Sequence, residues 1–270
     1  MGCDMTRITS AQNPLIRRLK ALGDKKTREA EGLMLVEGDV MLREALAAGL
    51  RPDCALAEEG GRFDQLLNML ASSGARLYEV PRALIEAVCG TRTPQGVCAA
   101  VTLPPEPAED DFPGLIVALD GVQDPGNVGT IWRTADAAGF GGLIMTRACA
   151  DPFSPKVQRA AMGSGFRLPV WQRDALTDTL ASLKGSGYTV ISSALDGEPF
   201  YGAVLPDDKI VLVIGSEAHG VSAPVQAMSD RRLKLPMRGK AESLNAAVAA
   251  GIMIYDVLRE KMNGSDPFRP

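Results

Sequence analysis

Histidine is almost missing from this chain of 270 residues, with His219 its only representative. Catalysis by a histidine base would have to rest on that residue alone, and metal sites built from several histidines are excluded. The five cysteines, Cys3, Cys54, Cys89, Cys98 and Cys149, are scattered and odd in number, with no Cys-x-x-Cys pair. They indicate neither a disulfide framework nor a zinc site. No apolar run approaches the roughly 20 residues of a membrane span. The opening "MGCDMTRITS" lacks a signal-peptide core. A cytoplasmic protein without a membrane partner is the expectation. Gly-x-Gly-x-x-Gly is absent as well, which removes the dinucleotide fingerprint. Positive charge is also short: the net charge of −4 argues against a uniformly basic nucleic-acid binder.

The charge that is present is unevenly placed. Residues 1–28 hold Arg7, Arg17, Arg18, Lys20, Lys25, Lys26 and Arg28 against Asp4 and Asp24, a net +5 that leaves −9 for the remainder. A basic segment on an acidic body suits a local phosphate contact. It equally suits a solvated helix face.

Residues 103–114, "LPPEPAEDDFPG", are rich in proline and acid and read as a linker. Three segments follow: an α/β domain over 1–103, a linker over 104–111 and a second α/β domain over 112–270. In the first, apolar runs such as "GLMLVEG" and "ARLYEV" alternate with helical patterns such as "DVMLREALAAG". In the second, "GLIVALDG" reads as a buried strand, with "GGLIMT", "YTVISSAL", "KIVLVIGS" and "RRLKLP" after it. Open α/β sheets bind ligands at strand ends, where loops meet helix N-termini. Four strand ends here carry unusual residues: "DPGNVGTIWRTADAAG", "SSALDG", "IGSEAHGVS" and "LPMRGKAESLNAAVAAG".

The last stretch predicts a helix opening with Glu242, Ser243 and Asn245 and continuing as Ala246, Ala247, Ala249, Ala250 and Gly251. Core helices normally show a stripe of larger apolar residues. This one offers polar groups and then a surface that another backbone can approach closely.

These segments resemble the three signature motifs of the SpoU/TrmH class of SPOUT RNA methyltransferases. Asn127, Gly129 and Arg133 match the first; Gly215, Glu217 and Gly220 the second; Leu235, Pro236, Met237, Glu242, Ser243, Leu244 and Asn245 the third. Between them, "DPFSPKVQRAAMGSGFRLP" is similar to the family's bridging segment, with Lys156 and Gly163 in place. The N-terminal residues resemble the substrate-binding domain related to ribosomal protein L30e. The resemblance implies an L30e-like α/β domain followed by an α/β-knot domain with a deep trefoil knot. It implies a homodimer that uses S-adenosyl-L-methionine to methylate a ribose 2′-hydroxyl in RNA, with 23S ribosomal RNA as the expected substrate and DNA excluded. The 2′-hydroxyl is the group that tells RNA from DNA.

Carried over residue by residue, the resemblance makes Arg133, Asn127, Glu217, Ser243 and Asn245 the catalytic candidates. The cofactor candidates are Ala194, Leu195, Ile214, Gly215, Leu235, Met237, Leu244 and Asn245. Arg17, Arg18, Lys20, Lys25, Lys26 and Arg28, with Lys156 and Arg159, are the RNA-binding candidates. No metal is expected, and His219 is expected to be a loop residue without chemistry. A transfer-RNA substrate, a non-catalytic RNA-binding protein with a knotted scaffold, and an enzyme of small nucleotides are the alternatives.

Overall fold

The computed structural model describes residues 5–108, 112–203, 205 and 209–265, with side chains described to Glu260. The chain forms two compact units, Met1–Pro105 with Phe153–Phe166, and Glu106–Pro152 with Arg167–Pro270.

The first unit runs β1 (Thr6–Arg7), α1 (Pro14–Ala21), α2 (Lys25–Glu31), β2 (Leu33–Glu37), α3 (Asp39–Ala47), β3 (Pro52–Glu58), α4 (Asp64–Ser72), β4 (Arg76–Val80), α5 (Arg82–Cys89) and β5 (Val97–Thr102). Its sheet has the order β1-β4-β3-β5-β2, and β5 is antiparallel to both its neighbours. Strands β2, β3 and β5 are buried on both faces, which is why they read as near-continuous apolar runs rather than alternating ones. Ile16, Leu19, Ile85 and Val88 cover one face. Leu42, Leu66 and Leu70 cover the other, joined by Phe153 and Phe166 from far along the chain. Asn13 starts α1 by accepting from the Leu15 amide at 2.9 Å, with Pro14 in the first turn.

The second unit runs β6 (Leu115–Asp120), α6 (Pro125–Ala137), β7 (Gly142–Thr146), then α7 (Pro155–Ala161) and α8 (Ser164–Arg167). It continues with β8 (Val170–Arg173), α9 (Thr177–Gly185), β9 (Thr189–Pro199), β10 (Ile210–Gly215), α10 (Ala223–Met228), β11 (Arg231–Lys234) and α11 (Ala246–Ser265). Of these, α7 belongs to the first unit. The sheet order is β11-β9-β10-β6-β7-β8, parallel throughout. From β6 the chain winds outward through β7 to β8, and β9 then begins again on the far side of β10. The order therefore reverses at β6 and β10, whose last residues Asp120 and Gly215 are paired. That reversal is where such sheets open a ligand crevice. After edge strand β11 the chain crosses back over β9 and β10, and α11 packs on α6.

In the expected linker, Trp171 Nε1 donates to the Ala108 carbonyl at 3.0 Å and Arg173 lies 3.7 Å from Glu106. Residues 109–111 lie outside the described residues. Two expectations change. The last helix begins at Ala246 rather than at Glu242. The basic N-terminal segment is also less available than its composition suggests. Arg28 is 3% exposed and donates to the Leu22 carbonyl at 2.7 Å, closing the turn between α1 and α2. Arg18 is held by Glu31 at 2.7 Å and Asp53 at 2.8 Å. Arg28 is therefore structural, and the charge of Arg18 is largely engaged by two carboxylates, which leaves it less available to a phosphate.

Among the described residues no helix is long and apolar enough to cross a membrane. Cys54, Cys89, Cys98 and Cys149 are free and buried. No cluster of metal-ligating side chains occurs among the described residues. Replacing Arg28 by Ala should cost about 1–3 kcal/mol, the scale of an unmet buried acceptor. Urea unfolding reads the loss, while the salt dependence of RNA binding should not move; a full-stability variant would remove Arg28 from this role.

Candidate active site

The parallel ladder sets four loops side by side at one edge of the second sheet. The turn before α6 leaves β6 at Asp120, and the 216–222 loop leaves β10 at Gly215. In β9, Ser192 pairs with Arg232 and Glu198 with Leu233, so residues 193–197 are looped out of the ladder. The fourth loop, 235–245, follows β11.

Close backbone approach shapes the 216–222 loop. Ser216 and Gly220 exchange amide-to-carbonyl hydrogen bonds of 3.0 and 2.9 Å, folding the loop back on itself. A Cβ on Gly215 would stand 2.0 Å from the Gly220 carbonyl carbon, so only glycine fits there. Asp120 accepts from the Ser222 amide at 2.8 Å, tying this loop to the end of β6. Gln226 Nε2 donates to the Val221 carbonyl at 2.7 Å. In the 193–197 loop, Asp196 is joined to Arg232, whose hydrogen bond and charge hold the Asp196 carboxyl below the usual carboxylate range.

Between three of these loops lies a cavity of about 360 Å³, within the usual size range of small-molecule sites. Ala194, Leu195, Ile214, Gly215, Leu235, Met237 and Leu244 all line it. Asn245 does not; its carbonyl oxygen accepts from the Ala247 and Val248 amides at 2.9 and 3.2 Å, capping α11. Ser193, Asp196, Gln226 and Met253 also line the cavity, as does His219. Asp196 was within reach of sequence reasoning, beside Leu195 at a strand end. Gln226 and Met253 lie inside helices and carry no local signal.

Asn127, Glu217 and Asn245 meet beside this cavity. Asp124 caps α6, its Oδ1 accepting from the Asn127 amide at 2.8 Å. The Asn127 side chain donates to Glu217 and accepts from Asn245 Nδ2 at 3.0 Å. Glu217 itself lines the cavity, so the chain of hydrogen bonds begins there and ends at the start of α11. Ser243 lines the cavity and is exposed. Arg133 is exposed and makes no hydrogen bond or ion pair among the described residues. It belongs to an exposed stripe of α6 with Gly126, Thr130 and Ala137, recurring at helical spacing.

The RNA-binding candidates lie in the first unit. Arg17 donates to Gln12, Lys25 lies 3.8 Å from Glu29, and Lys20 and Lys26 are exposed. Lys156 and Arg159 are exposed on α7.

The profile of the SpoU rRNA methylase family matches residues 114–255, more than half of the chain. The chain belongs to the SpoU rRNA methylase family. It is an RNA methyltransferase, and the cofactor of the family is S-adenosylmethionine. Residues 13–99 match the MRM3-like substrate binding domain. The chain is 35% identical to the 23S rRNA (guanosine(2553)-2′-O)-methyltransferase RlmP of Bacillus subtilis, over 93% of its own length and 98% of the relative's. An uncharacterized tRNA/rRNA methyltransferase of Synechocystis sp. is 34% identical, over 98% and 97% of the two chains. An AdoMet-bound rRNA methyltransferase from Sinorhizobium meliloti superposes with a TM-score of 0.87 at 30% identity, covering 94% of this chain and 98% of the other. This SpoU-family chain thus has the architecture that its motifs led us to expect.

The apolar walls and backbone edges of the cavity fit S-adenosylmethionine, whose adenine and methionine moieties need both. Gly215→Ala should weaken S-adenosylmethionine binding more than about tenfold, because its Cβ would force the 216–222 loop outward. Calorimetric titration checks this, and wild-type affinity in the variant would remove the loop from the cofactor site.

Proposed function

We propose that this protein transfers a methyl group to a ribose 2′-hydroxyl of 23S ribosomal RNA. One observation carries the reading: Glu217 belongs at once to the cavity wall and to the cluster with Asn127 and Asn245. Cofactor and acceptor sites are therefore adjacent. Relatedness to RlmP supports the ribosomal substrate, and a cytoplasmic location is in keeping with that substrate.

S-adenosylmethionine, when bound, supplies an activated methyl group, and the rest is orientation and electrostatics. Leu195, Ile214, Leu235, Met237 and Leu244 would hold the apolar parts of the cofactor. A guanidinium offers only donors and has no acceptor for the hydroxyl proton; the planar fork of Arg133 grips the phosphate beside the reacting ribose. The proton leaves to that phosphate or to water. Asn127, oriented from both sides, and Ser243 position the nucleotide.

The exposed stripe of α6 continues into α11, where Gly251 faces Thr134 and where Val248 is 51% and Tyr255 50% exposed. A second copy of the chain covers this face and completes the surroundings of Arg133. An apolar patch of this kind is otherwise left to water. Sedimentation of the wild type at micromolar concentration should give a dimer and Tyr255→Glu a monomer; a monomeric wild type that methylates RNA overturns the assembly.

Arg133→Ala should lower methyl transfer by about 100-fold or more with cofactor affinity intact, and Arg133→Lys should fail too. Transfer of tritiated methyl to 23S ribosomal RNA measures both. Near-normal turnover by either variant would remove Arg133 from the mechanism.

A further inference from the structure

The cations of the first unit divide by what they face. Arg7, Arg18, Arg43, Arg76 and Arg82 each stand within ion-pair distance of Glu59, Glu31, Asp39, Asp53 and Glu58 respectively. Lys20, Lys26, Arg51, Arg62, Arg92, Lys156 and Arg159 are exposed and face no carboxylate among the described residues, and Arg92, Lys156 and Arg159 are set apart by their position. These three share one place in the fold, the C-terminal end of β2.

Glu37 ends β2, and its carboxylate is used internally. It accepts from the Gln95 amide at 3.1 Å and from the Thr91 hydroxyl at 3.2 Å. Gly38, at φ 95°, leaves room for the Gln95 side chain, which a Cβ there would meet at 2.3 Å. Arg82 Nη2 donates to the Pro94 carbonyl at 3.2 Å. The loop between α5 and β5 is therefore pinned at residues 91, 94 and 95. Arg92 and Thr93, the two residues between the pins, are exposed.

Helix α7 supplies the other cations. It packs on β2, with Phe153 before it and Phe166 after it seated against the core of the first unit. Glu37, Cys89, Gln158 and Arg159 line one small cavity, which brings Arg159 beside the base of the pinned loop. Lys156 precedes Arg159 by one helical turn and lies on the same side of α7. The family profile counts α7 within its own span, 114–255, yet the segment folds with the first unit.

We propose that Arg92, Lys156 and Arg159 form a composite surface that grips the phosphates of the RNA substrate. The inference rests on the RNA reading above and names where that RNA is held. Two guanidinium forks and an ammonium without acid partners suit an RNA backbone, since phosphate contacts position nucleic acid without reading its sequence. The pinned loop holds the Arg92 backbone in place before binding, which lowers the ordering cost of the contact. Lys20 and Lys26 of the α1–α2 segment are exposed too, but no pinned loop gathers them with a second element as happens with Arg92, Lys156 and Arg159.

The test uses the full-length protein and an unmodified 23S ribosomal RNA transcript, with filter binding over a range of salt and steady-state methyl transfer. Changing Arg92, Lys156 and Arg159 together to Gln should lower the slope of log affinity against log salt by about 2, at roughly 0.7 for each single-strand contact. The KM for RNA should rise at least about tenfold, with kcat and S-adenosylmethionine affinity unchanged. Arg51→Gln, at the opposite end of the sheet, should leave slope and KM as in the wild type. Glu37→Ala removes a negative charge but frees the loop. RNA binding should weaken in that variant, and tighter binding would overturn the pinned-loop argument. A triple variant with wild-type slope and KM overturns the surface. A wild type that methylates no RNA overturns instead the function on which the surface rests.

Discussion

The hydrogen-bond chain from Glu217 through Asn127 to Asn245 is the constraint that organises the catalytic unit. Its direction is forced. Asn245 must turn its carbonyl oxygen to the first amides of α11, which leaves its NH2 group for Asn127. Asn127 then has to accept on that side and donate on the other, where Glu217 takes the bond. An amide flip at either asparagine would oppose two donors or two acceptors, and each unmet group costs about 1–3 kcal/mol when water is kept out. The chain thereby holds three loops from distant parts of the sequence in one register. It can do so only because β6 and β10 end side by side.

That alignment also explains why the cavity proposed for the cofactor is built mainly of backbone and apolar walls. The looped-out segment of β9, the folded loop after β10 and the chain after β11 surround the cavity, lining it chiefly with backbone, small and apolar groups. Two carboxylates line the cavity: Asp196 is joined to Arg232, and Glu217 accepts from Asn127. Polar chemistry is concentrated at the side nearest α6. An arrangement of this kind separates the binding of a cofactor, which needs burial, from the handling of RNA, which needs exposed cations.

The first unit shows how misleading a count of charges can be. Its N-terminal segment is basic by composition, but Arg28 is buried and Arg18 lies between two carboxylates. Burying or pairing a cation fixes a turn and removes it from the surface. Meanwhile α7, remote in sequence, brings exposed cations to the same unit. Neither event leaves a mark on local composition, because both depend on which elements pack together.

The sequence by itself determined the two α/β units, the strands that end at the site, and the membership of Asn127, Arg133, Glu217, Ser243 and Asn245 in recognisable motifs. Local patterns suffice for these: strands buried on both faces need continuous apolar runs, and close backbone approaches need glycine at positions such as Gly215. Helix α11 was legible as an alanine-rich helix, but its start was not. The capping group is Asn245, and its orientation is set by Asn127, which is 118 positions away in the chain. The tertiary structure alone decided that Asn245 turns from the cavity, that Gln226 and Met253 line it, and that Phe153–Phe166 join the first unit. Each of these is a contact between segments far apart in sequence. Such contacts are chosen by how apolar faces and hydrogen-bonding groups meet across the whole fold, not by the residues on either side.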